Sequence, residues 1–317
     1  MRIGFIGLGN IGGKLAGSLI RNGFEVAVRD VDENAAKPMV ALGAVWTESP
    51  KEIAEFADMV ITCLPSPAVS ASVMEADDGV LAGLTQGKIW AEMSTTDQEE
   101  VLRLGDKVVS CGAAAMDCPV SGGCHRAATG NISIFAGCER EVFDRALPVL
   151  KVIGQRILHT GQLGSASILK VVTNYLATAN LVSLCEAMVT AKMAGMDLNT
   201  TFEAIRISSG TSFVHDTESQ IILNGSRDIN FTMDLVVKDM SLFTQVAERT
   251  NVPLEVAPLL LEIFKDGQQR YGAREWSPNI VRRLEEACDV EILAPGFPSE
   301  ITDDEPEEVG YEIIPGI

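Results

Sequence analysis

A parallel α/β domain followed by an all-helical domain is the fold class this sequence predicts, and three observations carry that expectation. From Arg2 to about Thr160, short β-branched or apolar runs alternate with longer helical patterns, as they do where helices join the strands of a parallel sheet. Beyond Gly161 the strand signals stop and apolar residues recur at helical spacing. Between the two halves, Ser165 to Ala194 reads as one helix with no Pro or internal Gly. Such a helix would be roughly 45 Å long at 1.5 Å per residue, enough to link two domains or two subunits.

Taken in order, Ile3–Ile6, Glu25–Arg29, Met59–Cys63 and Lys88–Glu92 are expected as the first four strands, with helices between them. Met116–Cys118, Ile132–Ala136 and Ile157–His159 are expected as further strands. After the long helix the chain reads as helical to about Ala287, punctuated at Gly195, Ser208–Gly210, Asn224–Gly225 and Pro253. Past Asp289, four prolines and a run of carboxylates leave no periodicity, which predicts an irregular or disordered tail. The expected organisation is therefore a first domain over residues 1–163, a helical domain over 164–288 opening with the long helix at about 165–194, and an acidic tail over 289–317.

Composition narrows the function. The 317 residues carry 44 acidic and 25 basic side chains, a net charge of −19, which disfavours nucleic-acid binding because phosphate contact needs a positive face. Glu285 to Ile317 holds 11 acidic residues and no Lys or Arg, so the other 284 residues carry 33 acidic against 25 basic groups. The body is mildly acidic and the tail holds the excess. With 46% apolar and 22% charged residues there is material for a sizeable core.

Seven cysteines at 63, 111, 118, 124, 138, 185 and 288 include no C-x-x-C pair. They fit neither a disulfide framework nor a thiolate zinc site, and are expected to be reduced in a cytoplasm. The opening residues, Met1 to Gly13, run from one Arg directly into glycines and read as a strand and turn, not a signal peptide. The longest uncharged apolar stretch, Val171 to Cys185, is 15 residues with Thr, Asn and Ser in it, short of the ~20 that cross a bilayer. No membrane association is expected.

Gly7-Leu8-Gly9-Asn10-Ile11-Gly12 follows the first strand and opens a helix. In such a turn the first glycine permits a tight bend, the second admits a pyrophosphate to the backbone, and the third lets helix and strand pack closely. A purely structural glycine turn is the alternative. Asp30 ends the second strand, 18 residues after Gly12, where an acid accepts hydrogen bonds from a ribose and repels a 2′-phosphate. NAD is expected over NADP, although Asp30 could instead merely cap the next turn.

Leu64-Pro65 and Ser94-Thr95 follow the third and fourth strands, at the carboxyl ends of a parallel sheet, where ligands bind. Ser121-Gly122-Gly123 offers a hydroxyl and two unhindered N–H groups, a plausible anion cradle. Lys170 and Asn174 are four residues apart and share a helix face. Burial there would lower the lysine pKa into the range useful for proton transfer, whereas an ordinary surface lysine is the plain alternative. Lys238-Asp239, from composition, is an exposed ion pair. Cys124 and His125 lack further ligands, so no metal site is expected.

The ordered set GFIGLGNIGGKLAGSL, CLP, MSTTD, DCPVSGG, GSASILKVVTN and KDMSL resembles the β-hydroxyacid dehydrogenase family, which includes 3-hydroxyisobutyrate dehydrogenase and tartronate semialdehyde reductase, over about residues 1 to 285. The resemblance implies a Rossmann domain joined by a long helix to an all-helical, dimer-building domain, and a homodimer or homotetramer. It implies that Ser121, Gly122 and Gly123 bind the substrate carboxylate, that Lys170 is the catalytic acid/base and that Asn174 orients the substrate. Lys238 would close over substrate and nicotinamide, while Leu64, Pro65 and Thr95 would line the cofactor.

Val69 stands where some relatives have an Asn near the cofactor, and Cys124-His125-Arg126 replaces small or neutral residues. Arg126 is a candidate for a second anionic group on the substrate, or for a plain ion pair with a surface carboxylate. The expected activity is NAD-dependent oxidation of the primary alcohol of a small anionic 3-hydroxy acid to a semialdehyde, or its reverse. An imine or keto-acid reductase and a non-catalytic dinucleotide-binding protein are the alternatives; the presence of Lys170 argues against imine chemistry, and that of Lys170 with Asn174 against a non-catalytic protein.

Overall fold

The computed structural model describes residues 1–316. They form two compact units, one of Met1–Lys170 with the segment from Asp303 onward, the other of Val171–Thr302. The first unit is built from β1 (Ile3–Ile6), α1 (Gly12–Arg21), β2 (Val26–Arg29), α2 (Glu33–Ala41), β3 (Val45–Trp46), α3 (Pro50–Phe56), β4 (Met59–Thr62), α4 (Pro67–Glu75), α5 (Val80–Gly83) and β5 (Ile89–Glu92). It continues through α6 (Gln98–Ser110), β6 (Ala114–Asp117), β7 (Val120–Ser121), α7 (Gly123–Thr129), β8 (Ser133–Gly137), α8 (Arg140–Ile153) and β9 (Arg156–Gly161) to the start of α9 (Ser165–Met193). The second holds the rest of α9, then α10 (Leu198–Arg206), α11 (Phe213–Asn224), α12 (Met233–Thr250), α13 (Ala257–Tyr271), a 3-10 turn (Ser277–Val281) and α14 (Arg282–Cys288). A last strand, β10 (Tyr311–Ile313), returns to the first unit.

The strands make one sheet in the order β10-β9-β8-β6-β5-β4-β1-β2-β3, with β7 paired to β8 off that path. β1 lies between β2 and β4 and is parallel to both. There the strand order reverses, which opens a crevice at the carboxyl ends of β1 and β4. Every residue of β1, β4 and β5 is buried, as strands covered by helices on both faces must be. Side chains such as Phe5, Leu15, Leu19, Ile61 and Phe143 are wholly buried in this unit, each contributing roughly 1.5–3 kcal/mol of apolar transfer. The strands are not all parallel, because β8 runs antiparallel to β6 and β7.

Helix starts follow local chemistry. Ser49 accepts a hydrogen bond from the Glu52 N–H ahead of Pro50, and Asp97 and Asp197 cap α6 and α10 in the same manner. By length and apolar composition α9 could cross a bilayer, a property that the shorter stretch Val171 to Cys185 conceals. Its Leu181, Leu184, Cys185, Met188 and Val189 pack instead into the core of the second unit, with Val236, Met240 and Phe264.

Two expectations of organisation differ from what the chain forms. The division falls inside α9, after Lys170, and not at its start. The acidic tail is irregular from Asp289 to Gly310, as expected, but over its described residues it packs on the protein and splits between the units. Ile292 is wholly buried in the helical core, where Phe297 meets Phe202 edge to face at 5.0 Å. Farther on, β10 pairs in parallel with β9, Tyr311 opposite Arg156 and Ile313 opposite Leu158. Gly310 allows this approach, since a Cβ there would lie 2.0 Å from the Gly154 carbonyl oxygen.

Candidate active site

The turn after β1 has the shape that a dinucleotide needs. Gly7 has φ +96°, and a Cβ on it would lie 2.3 Å from the Cys63 carbonyl oxygen at the end of β4. A Cβ on Gly12 would lie 2.0 Å from the Gly7 oxygen. A Cβ on Gly9 would meet nothing within 4 Å, so the backbone there is open to an approaching group. No side chain caps α1, whose N-cap is Ile11, and the Gly13 and Lys14 N–H groups bond to the Gly9 and Ile11 carbonyl oxygens, so an anion there would use the earlier N–H groups of the turn and the positive end of the helix. Leu8 is buried under the turn, while Gly9 and Asn10 are exposed.

Asp30, half-buried past the end of β2, braces the same turn: its Oδ2 accepts the Leu8 N–H at 2.6 Å and its Oδ1 accepts the Asp32 N–H at 2.9 Å. The neighbouring Arg29 guanidinium stacks 4.8 Å over Trp46 and donates to the Asp30 carbonyl. Across the crevice, the Leu64 N–H donates to Ser94 Oγ at 2.7 Å. Ser94 is itself held by Glu92, which accepts its N–H at 2.9 Å and pairs with its hydroxyl. Burial raises the Glu92 pKa against the opposing pull of these Ser94 bonds. Pro65 is exposed and Thr95 half-buried beside this network.

Ser121 ends β7 opposite Ser133. Gly122 and Gly123 follow with φ +129° and +86°, a region that only glycine adopts without strain. The side chains after the turn fold back on it: the His125 ring comes within 2.8 Å of a Cβ placed on Gly123, and Arg126 Cδ within 3.2 Å of one on Gly122. Arg126 also pairs with Glu305 of the tail at 3.3 Å.

Lys170 is buried, 8% exposed, one turn and a half into α9. The start of that helix is fixed by Asp117 at the end of β6, whose carboxylate accepts the Gly164 N–H at 2.8 Å, the Ser167 N–H at 2.7 Å and the Ser167 hydroxyl at 2.8 Å. Burial pushes the Asp117 pKa up while these bonds pull it down. In the second unit, Asp239 receives Asn174 Nδ2 at 2.5 Å and Lys238 Nζ at 2.9 Å. Asp239 is only 3% exposed, so the expected surface pair is a buried anchor for two site candidates.

The structure thus brings Gly7 to Gly12, Asp30 and Leu64 together, and separately joins Asn174 to Lys238 through Asp239. The bracing roles of Glu92, Ser94, Asp117, Asp239 and Glu305 are not legible in the sequence, where Ser94 stands only as part of a strand-end loop and Asp239 only as half of a surface pair. Among the described residues no three His, Cys, Asp or Glu side chains converge as metal ligands.

An open parallel sheet with a glycine turn at its switch point, followed by a helical unit, defines a two-domain nicotinamide-dinucleotide oxidoreductase. Residues 2–161 match the model of the NAD binding domain of 6-phosphogluconate dehydrogenase, and residues 164–284 that of the NAD-binding domain of NADP-dependent 3-hydroxyisobutyrate dehydrogenase. The chain is 32% identical to the 2-(hydroxymethyl)glutarate dehydrogenase of Eubacterium barkeri, over 92% of this chain and 97% of that one. It is 29% identical to the NAD-dependent L-serine dehydrogenase of Pseudomonas aeruginosa, over 89% and 97%. A solved 3-hydroxyisobutyrate dehydrogenase from Salmonella typhimurium superposes with a TM-score of 0.81 at 25% identity, covering 89% of this chain and 99% of that one. The chain belongs to the β-hydroxyacid dehydrogenase family.

Proposed function

We propose that this chain oxidises the primary alcohol of a small 3-hydroxy acid to its semialdehyde, or reduces the semialdehyde, with NAD preferred over NADP and Lys170 as general acid/base. Nicotinamide-dependent chemistry on 3-hydroxy acids is the family's activity, and this chain is such a dehydrogenase. The observation that carries the finer reading is a buried lysine on a helix whose start is held by a buried carboxylate, in the same unit as the open glycine turn.

The residues fit the cofactor: the space beside Gly9 and the uncapped start of α1 suit a pyrophosphate. A nicotinamide dinucleotide held there would supply the acceptor for the hydride of the carbinol carbon, or its donor in the reverse direction. Asp30 lies against the glycine turn, where its charge suits ribose hydroxyls and opposes a 2′-phosphate. Leu64, Pro65 and Thr95 line the cofactor. Ser121 Oγ and the N–H groups of Gly122 and Gly123 hold the substrate carboxylate.

Lys170 Nζ takes the hydroxyl proton as the C–H bond breaks, and the resulting ammonium returns it in the reverse direction. A buried ammonium also stabilises negative charge developing on the reacting oxygen. Asn174 and Lys238 keep the substrate-orienting and site-closing roles that the family resemblance implies, with Asp239 fixing both side chains.

Two features support the remaining parts of the reading. α9 leaves Leu169 and Leu176 exposed, which suits a homodimer or homotetramer, checked by light scattering after gel filtration. All seven cysteines are free, in keeping with a cytoplasmic location. The decisive experiment follows absorbance at 340 nm across short hydroxy acids with NAD and NADP, in the unmodified enzyme and in Lys170→Ala. NAD should give the higher kcat/KM, and the substitution should cut kcat by about 10²–10⁴ with cofactor affinity little changed. More than a tenth of the original kcat in the variant, or equal kcat/KM for the two cofactors, would refute the corresponding assignment.

A further inference from the structure

The Arg126–Glu305 pair joins residues 179 positions apart, and the tail is built to deliver that carboxylate. Just before it, Asp303 accepts from the Thr129 hydroxyl and from Asn131 Nδ2, the latter at 2.8 Å. Asn131, wholly buried, also donates to the Glu305 carbonyl oxygen at 3.0 Å. Just after it, Glu307 accepts from Asn22 Nδ2 at 3.2 Å, and the Gly310 N–H donates to the Lys151 oxygen at 2.8 Å. Glu305 is therefore pinned on both sides. Its partner is placed with equal care, since the Arg126 stem lies against Gly122 of the proposed carboxylate cradle. The guanidinium is within one side-chain length of that turn, and its own side chain is only 19% exposed.

A forked guanidinium beside a carboxylate cradle is what recognition of a second carboxylate would use. Here the chain supplies a carboxylate of its own. A tethered group competes at an effective concentration of roughly millimolar or more, and a neutralised guanidinium has little charge left to offer a dianion. We infer that Glu305 is a specificity-determining residue: it occupies Arg126 where the second carboxylate of a dicarboxylic hydroxy acid would bind, and so biases the enzyme toward hydroxy acids with a single carboxylate. This rests on the reading of Ser121 to Gly123 as the substrate-carboxylate site. It also sets the chain apart from its relative named for 2-(hydroxymethyl)glutarate, a dicarboxylate.

The test compares kcat/KM for 2-(hydroxymethyl)glutarate with that for 3-hydroxyisobutyrate in the unmodified enzyme, in Glu305→Gln and in Arg126→Gln/Glu305→Gln. The ratio of dianion to monoanion should rise about tenfold in Glu305→Gln, chiefly through KM, and fall back in the double variant. A ratio unchanged by Glu305→Gln overturns the proposal. So does a gain that survives loss of Arg126, or an unmodified enzyme that already favours the dianion. A second readout needs no turnover: glutarate should raise the melting temperature of Glu305→Gln more than that of the unmodified protein, with butyrate raising both alike. Equal glutarate shifts overturn the proposal on this arm. If neither hydroxy acid is oxidised with either cofactor, the proposed activity fails, while the glutarate and butyrate shifts still decide whether Glu305 masks Arg126.

Discussion

Gly9 and Gly12 lie in one turn, yet a methyl group would do different things at each. At Gly12 it would meet the Gly7 carbonyl oxygen at 2.0 Å, an overlap that only backbone movement relieves. At Gly9 it would meet no atom of the protein, and the backbone there has no positive φ to strain an alanine. Gly9→Ala is therefore expected to fold with an unchanged melting temperature while weakening NAD binding about tenfold or more, because the only thing the methyl can obstruct is a ligand. Titration of the variant with NADH, followed by fluorescence, measures this. Undiminished affinity would mean that the pyrophosphate does not approach at Gly9. Asp30 is a residue with two tasks: it is proposed to select the cofactor, and it also binds the Leu8 N–H of the turn. Its substitution should consequently loosen the turn as well as change cofactor preference, whereas Gly9→Ala isolates the ligand.

At the scale of elements, the long helix shows why the sequence was legible in some places and silent in others. Its span, expected at about 165–194 and found at Ser165–Met193, follows from apolar spacing with no breaker inside it. The buried strands were legible for a related reason, since a strand covered on both faces is an uninterrupted apolar run. β3 and β7, at two residues each, are too short to show any period, and β10 is disguised by the acids around it. The glycine turn and Ser121 to Gly123 could be singled out as candidates because they stand out in local spacing, and Lys170 because the family resemblance points to it. Asp117 could not, because its role exists only once β6 is brought against residues 47 and 50 positions later. It is nonetheless what fixes where α9 begins, and hence where Lys170 stands along it. Asp117→Asn keeps the volume but puts an amide, with one acceptor oxygen, where a carboxylate serves three donors, so a buried N–H loses its partner. Asp117→Asn should lower kcat about tenfold with NADH affinity unchanged, and should lower the melting temperature. A lower melting temperature with kcat intact would leave Asp117 a structural cap with no bearing on Lys170.

On the scale of the whole molecule, a chain with net charge −19 would be expected to keep its acidic tail in water. The tail is instead fastened by its own acids. Glu312 receives both Nη atoms of Arg140 at 2.6 and 3.0 Å, which holds its carboxyl below the usual range. Burial pushes the Asp303 pKa up, but bonds from Thr129 and Asn131 outweigh it and leave the pKa lowered. Stability from such depressed carboxyls is present above their ordinary pKa and is lost as pH falls through the folded value. Exposed pairs of this kind are worth only about 0–1 kcal/mol each, so salt should loosen the tail modestly. The firmer hold is the pairing of β10 with β9 and the buried amide of Asn131. Ending the chain after Thr302 would strip β9 of its partner and expose an edge open to other strands. The truncated protein should melt on the order of 5 °C lower, lose its steeper instability below about pH 4 and aggregate more readily by light scattering. Ending it after Asp289 should cost more, because Ile292 and Phe297 would also leave the helical core. A protein that ends at Thr302 and matches the full chain in melting temperature and acid sensitivity would show that the tail rests on the sheet without holding it.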